Sequence, residues 1–143
     1  MATDTITKTI FINAAPEVVW EYLTKKDKLA LWFHPAEADL QLGADYALIE
    51  KTPDGSTNKL CWGSVLEMKP PSHMIWSFTV NPLQGAMTTV NWSLEATQTG
   101  TRITLVHSGI GKAAGEAAMG LLMALDKGWD EHFSALRKQI PQG

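Results

Sequence analysis

Leu122-Met123-Ala124-Leu125-Asp126-Lys127-Gly128-Trp129-Asp130-Glu131-His132-Phe133-Ser134-Ala135-Leu136-Arg137-Lys138-Gln139-Ile140 is the stretch that decides the fold. Leu122, Leu125, Trp129, Phe133, Leu136 and Ile140 recur three or four residues apart, which aligns them as one stripe on an α-helix. Asp126, Lys127, Asp130, Glu131, Arg137 and Lys138 fill the other faces. A helix beginning near Gly115 would run about 37 Å at 1.5 Å per residue. In a chain of 143 residues only a broad sheet can cover an apolar stripe of that length, so the helix is expected to lie along one. Gly128, inside it, costs about 1 kcal/mol relative to alanine. A close contact with another element would explain keeping it.

Upstream of the helix the hydrophobic period is two. Thr5 to Ile12 places Ile6, Ile10 and Ile12 on one side, the pattern of a half-buried strand. Asn13-Ala14-Ala15-Pro16 breaks that strand. Pro16 then suits the first turn of a helix, Glu17 complements the helix dipole, and Val19, Trp20 and Leu23 give a buried side. A second short helix is expected from about Asp27 to Trp32, ending before Pro35. Asp45 to Glu50 reads as a strand, and Pro53-Asp54-Gly55 as a hairpin turn. Leu60 to Met68 follows with Leu60, Trp62, Leu66 and Met68 on one face, before Pro70-Pro71. Met74, Trp76, Phe78 and Val80 alternate cleanly, as do Val90, Trp92 and Leu94, and then Ile103, Leu105 and His107. Strands joined by tight turns form an antiparallel meander. With no repeats, low-complexity tracts or linkers, residues 1–143 are expected to form a single α+β domain.

Composition excludes several function classes. The formal charge is −3, and the twelve Lys and Arg residues form no stripe, so no nucleic-acid partner is expected. Cys61 is alone, which rules out a disulfide framework and a Cys-based metal cluster. No H-x-x-x-H or H-E-x-x-H spacing occurs, and neither a metal nor another cofactor is expected. Gly109-Ile110-Gly111-Lys112 lacks the further βαβ units of a dinucleotide fold and the Walker pattern, and Ser108-Gly109 is not part of a G-x-S-x-G elbow. Met1 to Thr9 has no apolar h-region and no apolar run is long enough to span a bilayer, so a cytoplasmic protein that keeps its first residues is expected, with no membrane insertion. Six tryptophans stand against four phenylalanines and two tyrosines. Tryptophan collects where an apolar wall meets a polar partner, so this excess points to a cavity.

Several stretches carry a resemblance. Ala15-Pro16-Glu17-Val18-Val19-Trp20-Glu21-Tyr22-Leu23-Thr24 followed by Leu29-Ala30-Leu31-Trp32-Phe33 resembles the N-terminal signature of the activator-of-Hsp90-ATPase-like family, within the START/Bet v 1-like superfamily. Gly63 through Pro71, Gly100 through Gly109, and Gly128-Trp129 with Phe133 and Leu136 are similar to its later strands and C-terminal helix. The resemblance implies a helix-grip fold, a six- to seven-stranded curved sheet wrapped around the long C-terminal helix with a cavity between them. Its signatures are mainly packing residues, and the superfamily includes lipid carriers, hormone receptors, polyketide cyclases and co-chaperone domains, so the fold alone does not assign a function.

On that architecture the ligand-contacting residues are expected to be Trp76, Phe78, Trp92 and His107 from the sheet, with Trp62 in addition. Met119, Met123 and Asp126 would come from the helix, and Trp32 would lie with His34 near the mouth. Large apolar walls with few polar groups describe a small-molecule site, and flexible methionines suit an adaptable one. The competing reading is that the aromatics simply fill the core. His107 is the best polar handle, either toward a ligand or as a satisfied histidine at the core edge, with Asp126 as its partner or solvated. The leading expectation is non-catalytic binding of a small hydrophobic or aromatic ligand, with no catalytic residues. The alternatives are a cyclase- or aromatase-like enzyme, in which His107, Asp126 and Asp45 would be tested first, and an Hsp90-related interaction module. A homodimer is allowed.

Overall fold

In the computed structural model, which describes residues 4–141, the period-two segments become six antiparallel strands. Residues 1–3 and 142–143 of the expected domain lie outside the described residues. The chain runs β1 (Ile6–Ile12), α1 (Pro16–Thr24), α2 (Lys26–Trp32), β2 (Asp45–Lys51), β3 (Thr57–Lys69), β4 (His73–Val80), β5 (Thr88–Ala96), β6 (Thr101–Ser108), α3 (Ile110–Ala114) and α4 (Ala118–Gln139). Across the sheet the order is β1-β6-β5-β4-β3-β2. It is a five-strand meander with the first strand returned beside the last. The helices α1 and α2 carry the chain from one edge of the sheet to the other.

The start of the long helix and the orientation of β3 differ from the sequence reading. The long helix starts at Ala118, not near Gly115, and its 22 residues span about 33 Å. Gly115 has φ +59°, a left-handed conformation that an α-helix cannot propagate, and it ends the separate turn α3. On β3 the inward face is Cys61, Gly63 and Val65, all buried, whereas Leu66 is exposed. The larger side chains Leu60, Trp62 and Leu66 suggest the opposite assignment. A Cβ at Gly63 would collide with the Ser77 carbonyl oxygen of the neighbouring β4, so no larger side chain fits there. A register shift between Val65 and Glu67 then returns Met68 to the core.

The other strands follow their alternation. Met74, Trp76 and Phe78 on β4, Val90, Trp92 and Leu94 on β5, and Ile103, Leu105 and His107 on β6 are all buried on the concave face. Trp92 lies at the centre of this layer. Its ring meets Trp76 at 5.2 Å, Trp129 at 5.8 Å, Phe133 at 5.9 Å and Trp32 at 6.2 Å between centroids. Five of the six tryptophans are therefore core residues, with Trp62 the exception. Each fully buried large side chain contributes roughly 1.5–3 kcal/mol through the apolar area removed from water, and this cluster fixes α4 across β4, β5 and β6.

Candidate functional site

Burial along the α4 stripe is uneven. Trp129, Phe133, Leu136 and Ile140 are buried, but Leu122 and Leu125, toward the N-terminal end, are only half covered. A cavity of about 120 Å³ opens at this transition. Its floor is Leu60 and Cys61 of β3 with Phe78 and Val80 of β4. Its roof is Ala124, Leu125, Gly128, Trp129 and His132 of α4, and Phe33 and His34 from the end of α2 close one side. Gly128 has no close neighbour. A Cβ built there meets nothing within 4 Å, and the residue faces the cavity. The expected close contact is absent, and open space takes its place.

Of the predicted ligand contacts, the structure brings Phe78 to this wall. Trp76 and Trp92 lie wholly inside the core with no exposure, packed on each other and covered by Tyr46 on one side and by Trp129 and Phe133 on the other. Their indole Nε1 groups have no hydrogen-bond partner among the described residues. Trp32 stands one layer behind the cavity, stacked on Phe33 at 5.1 Å, with Nε1 donating to the Tyr22 carbonyl at 2.7 Å. Trp62 lies on the outer face of the sheet, opposite Thr79 and beside Glu50, Lys59 and Asn81. Met119 and Met123 are each 66% exposed on the solvent side of α4. Asp126 is exposed and pairs with Lys8 of β1 at 2.6 Å, and Asp130 joins the same lysine at 3.0 Å. It is a link between helix and sheet edge, not a partner of His107. Asp45 accepts a hydrogen bond from Ser64 Oγ at 2.6 Å on the surface.

His107 is sealed in the core, and its hydrogen bonds define its proton. Trp129 Nε1–H donates to His107 Nδ1 at 3.1 Å, so Nδ1 carries no proton. Thr88 Oγ1 donates to the Phe78 carbonyl at 2.7 Å, leaving its oxygen to accept from His107 Nε2–H at 2.7 Å. The hydrogen bonds from Trp129 through His107 and Thr88 to the Phe78 carbonyl are all made only by the neutral Nε2–H tautomer. Burial pushes the pKa of His107 down to about 4, which agrees with that assignment. His107 holds the Trp129 ring that forms the cavity roof, and it serves as a satisfied core histidine.

Of the polar side chains at the cavity, His34 lies where the sequence places it, near the mouth, and His132 is one that the sequence did not single out as a contact. His34 and His132 face each other with ring centroids 5.2 Å apart. Burial, and secondarily His132, push His34 down to about 4. Burial also lowers His132, against the opposing effects of the Trp32 carbonyl and Glu131. Both rings are neutral at pH 7. The Cys61 thiol is pushed up to about 12 by burial and stays protonated, which removes it as a nucleophile at neutral pH. No sequence spacing marks the histidine pair, because residues 34 and 132 meet only when α2 packs on α4.

A long helix gripped by a curved antiparallel sheet, with a small cavity between them, defines the helix-grip class. Within it, the chain belongs to the Activator of Hsp90 ATPase homolog 1-like protein family, whose profile matches residues 13–140. No curated protein matches the sequence. Among solved structures, the fold is similar to that of CV1439 from Chromobacterium violaceum, 18% identical with TM-score 0.77 over 96% of each chain. It is also similar to the Aha1 dimer from Colwellia psychrerythraea, 19% identical with TM-score 0.74 over 98% of this chain and 96% of that one. DynU16, a protein of the dynemicin biosynthetic locus, is 22% identical with TM-score 0.76, over 96% of this chain and 47% of its own. At these identities the likeness is one of fold. Among the described residues no helix is long and apolar enough to cross a membrane, and no group of three or more His, Cys, Asp or Glu side chains is placed to hold a metal ion.

Proposed function

We propose that this chain is a cytoplasmic binding protein for a small apolar or aromatic ligand, held between β3, β4 and α4. The observation that carries this reading is Gly128. A glycine in the interior of a helix destabilises it by about 1 kcal/mol relative to alanine, and here no neighbour crowds the position. What it preserves is room at the cavity roof. The cavity volume, about 120 Å³, is close to the roughly 150 Å³ apolar cavity that accommodates benzene. It is well below the ~300–1,000 Å³ of drug-sized sites. The expected occupant is therefore a single ring or a short chain. Trp129 lines the wall, so its fluorescence should report binding. Titration with toluene should give saturable quenching, and a response no different from that of free tryptophan would count against the proposal.

An enzymatic reading draws support from the neutral histidines at the cavity and from the fold likeness to a protein of a biosynthetic locus. His34 and His132 would then be the acid–base groups, in place of His107, Asp126 and Asp45. The likeness to the Aha1 dimer makes a homodimer part of the proposal. Light scattering on the purified protein distinguishes the two states.

A further inference from the structure

The histidine pair narrows the ligand chemistry, and the step rests on the binding proposal above. His132 Nδ1 lies 3.4 Å from the Trp32 carbonyl oxygen. A carbonyl only accepts, so Nδ1 carries the ring proton and Nε2 is left as a bare lone pair. His34 makes ring contacts with Phe33 and His132 and has no hydrogen bond among the described residues. One free acceptor and one neutral ring able to donate therefore line a cavity whose other walls are apolar. The ionisable groups around them are Cys61 on β3, which stays a thiol, and Glu131 on α4, which pairs with Lys127 at 3.9 Å. On β4 the lining is Phe78 and Val80, neither of which ionises.

We propose that the pocket selects a small phenol: the ring enters between Phe78, Leu125 and Trp129, and the hydroxyl donates to His132 Nε2 while accepting from His34. A carboxylate suits the site less well, because it brings no proton for Nε2 and needs a cationic partner that two neutral rings do not supply. A plain hydrocarbon fills the walls but leaves both histidines without a partner. That omission carries a penalty in a site built to hydrogen-bond its ligand.

The test compares phenol, toluene and benzoate on the intact protein, by calorimetry or fluorescence at pH 7 and at pH 5. In His132→Phe, which keeps a planar ring and removes both nitrogens, the preference for phenol over toluene should fall by roughly three- to tenfold. Toluene is the reference ligand in each variant, so the read-out is the ratio of the two affinities, and circular dichroism checks that the variant is folded. His34→Leu provides a second variant with the same expected direction. Protonation of His132 would consume the Nε2 lone pair, so acidification from pH 7 to pH 5 should in no case strengthen the phenol preference. An unchanged phenol-to-toluene ratio in both variants would overturn the phenol assignment while leaving the pocket standing. So would benzoate binding more tightly than phenol and strengthening at lower pH. If neither toluene nor phenol binds the unmodified protein, the binding proposal itself fails.

Discussion

Gly128 offers the sharpest perturbation, because stability and binding should move in opposite directions. Replacing it with alanine removes the backbone-entropy penalty of a helix-interior glycine, a gain of about 1 kcal/mol. The new methyl group meets nothing within 4 Å, so no clash offsets that gain. For a chain of this size, 1 kcal/mol corresponds to a rise in Tm of roughly 2–4 °C. The methyl group projects into a cavity of only about 120 Å³, so ring binding should weaken, and Gly128→Leu should abolish it. Gly120, also in α4 with open space at its Cβ but away from the cavity, is the control. Gly120→Ala should leave binding unchanged and raise stability by no more than about 1 kcal/mol. The assays are thermal melting followed by circular dichroism and titration with toluene. If Gly128→Ala lowers Tm, or Gly128→Leu binds toluene as the unmodified protein does, then the glycine is not kept for space and the reasoning fails.

Other outcomes follow from the same structure. The neutral, buried His107 makes stability depend on pH. Its folded pKa of about 4 lies below the ordinary 6.5, so the unfolded chain binds more protons between those values, and stability falls as pH drops from about 6.5 toward 4. The loss from this residue should be on the order of 3 kcal/mol, and urea titrations at pH 7 and pH 4.5 should show most of it in excess of the change in a His107→Gln variant. Trp129→Phe strips His107 Nδ1 of its donor, whereas Trp92→Phe removes an indole N–H that has no partner. The first should therefore cost roughly 1–3 kcal/mol more than the second in denaturant unfolding. Asp126→Asn weakens only an exposed link to Lys8, so it should cost less than about 1 kcal/mol and leave ligand affinity untouched.

The sequence disclosed the architecture where a single period ran unbroken. The stripe from Leu122 to Ile140 and the alternation on β4, β5 and β6 specify both the helix and the face of the sheet it covers. The pattern misled at β3, where the inward positions carry Cys61, Gly63 and Val65 and the larger Trp62 and Leu66 point outward, while Leu60 borders the cavity. Size is a poor guide to orientation when the buried positions must be small. The tryptophan excess likewise marked a core. Trp76 and Trp92 are enclosed, and only Trp129 reaches the cavity wall. Met119 and Met123 have the composition of an adaptable pocket but lie on the solvent face, a quarter to a third of a turn around the helix from the covered stripe. Gly128 was visible as an anomaly, with its reason reversed: it leaves a gap where a contact was expected. His34 is legible as a residue near the mouth, but its pairing with His132 is not, since the two are distant in sequence and meet through packing alone.

The central claim is that a small ring occupies the space beneath Gly128, and amide chemical-shift mapping during titration with toluene tests it most directly. The predicted result is a saturable set of shifts confined to Phe33, His34, Cys61, Phe78, Leu125, Gly128, Trp129 and His132, with Trp62, Met119 and Met123 unmoved. Shifts centred on Trp62 at the outer face, or no saturable shifts at all, would contradict the account.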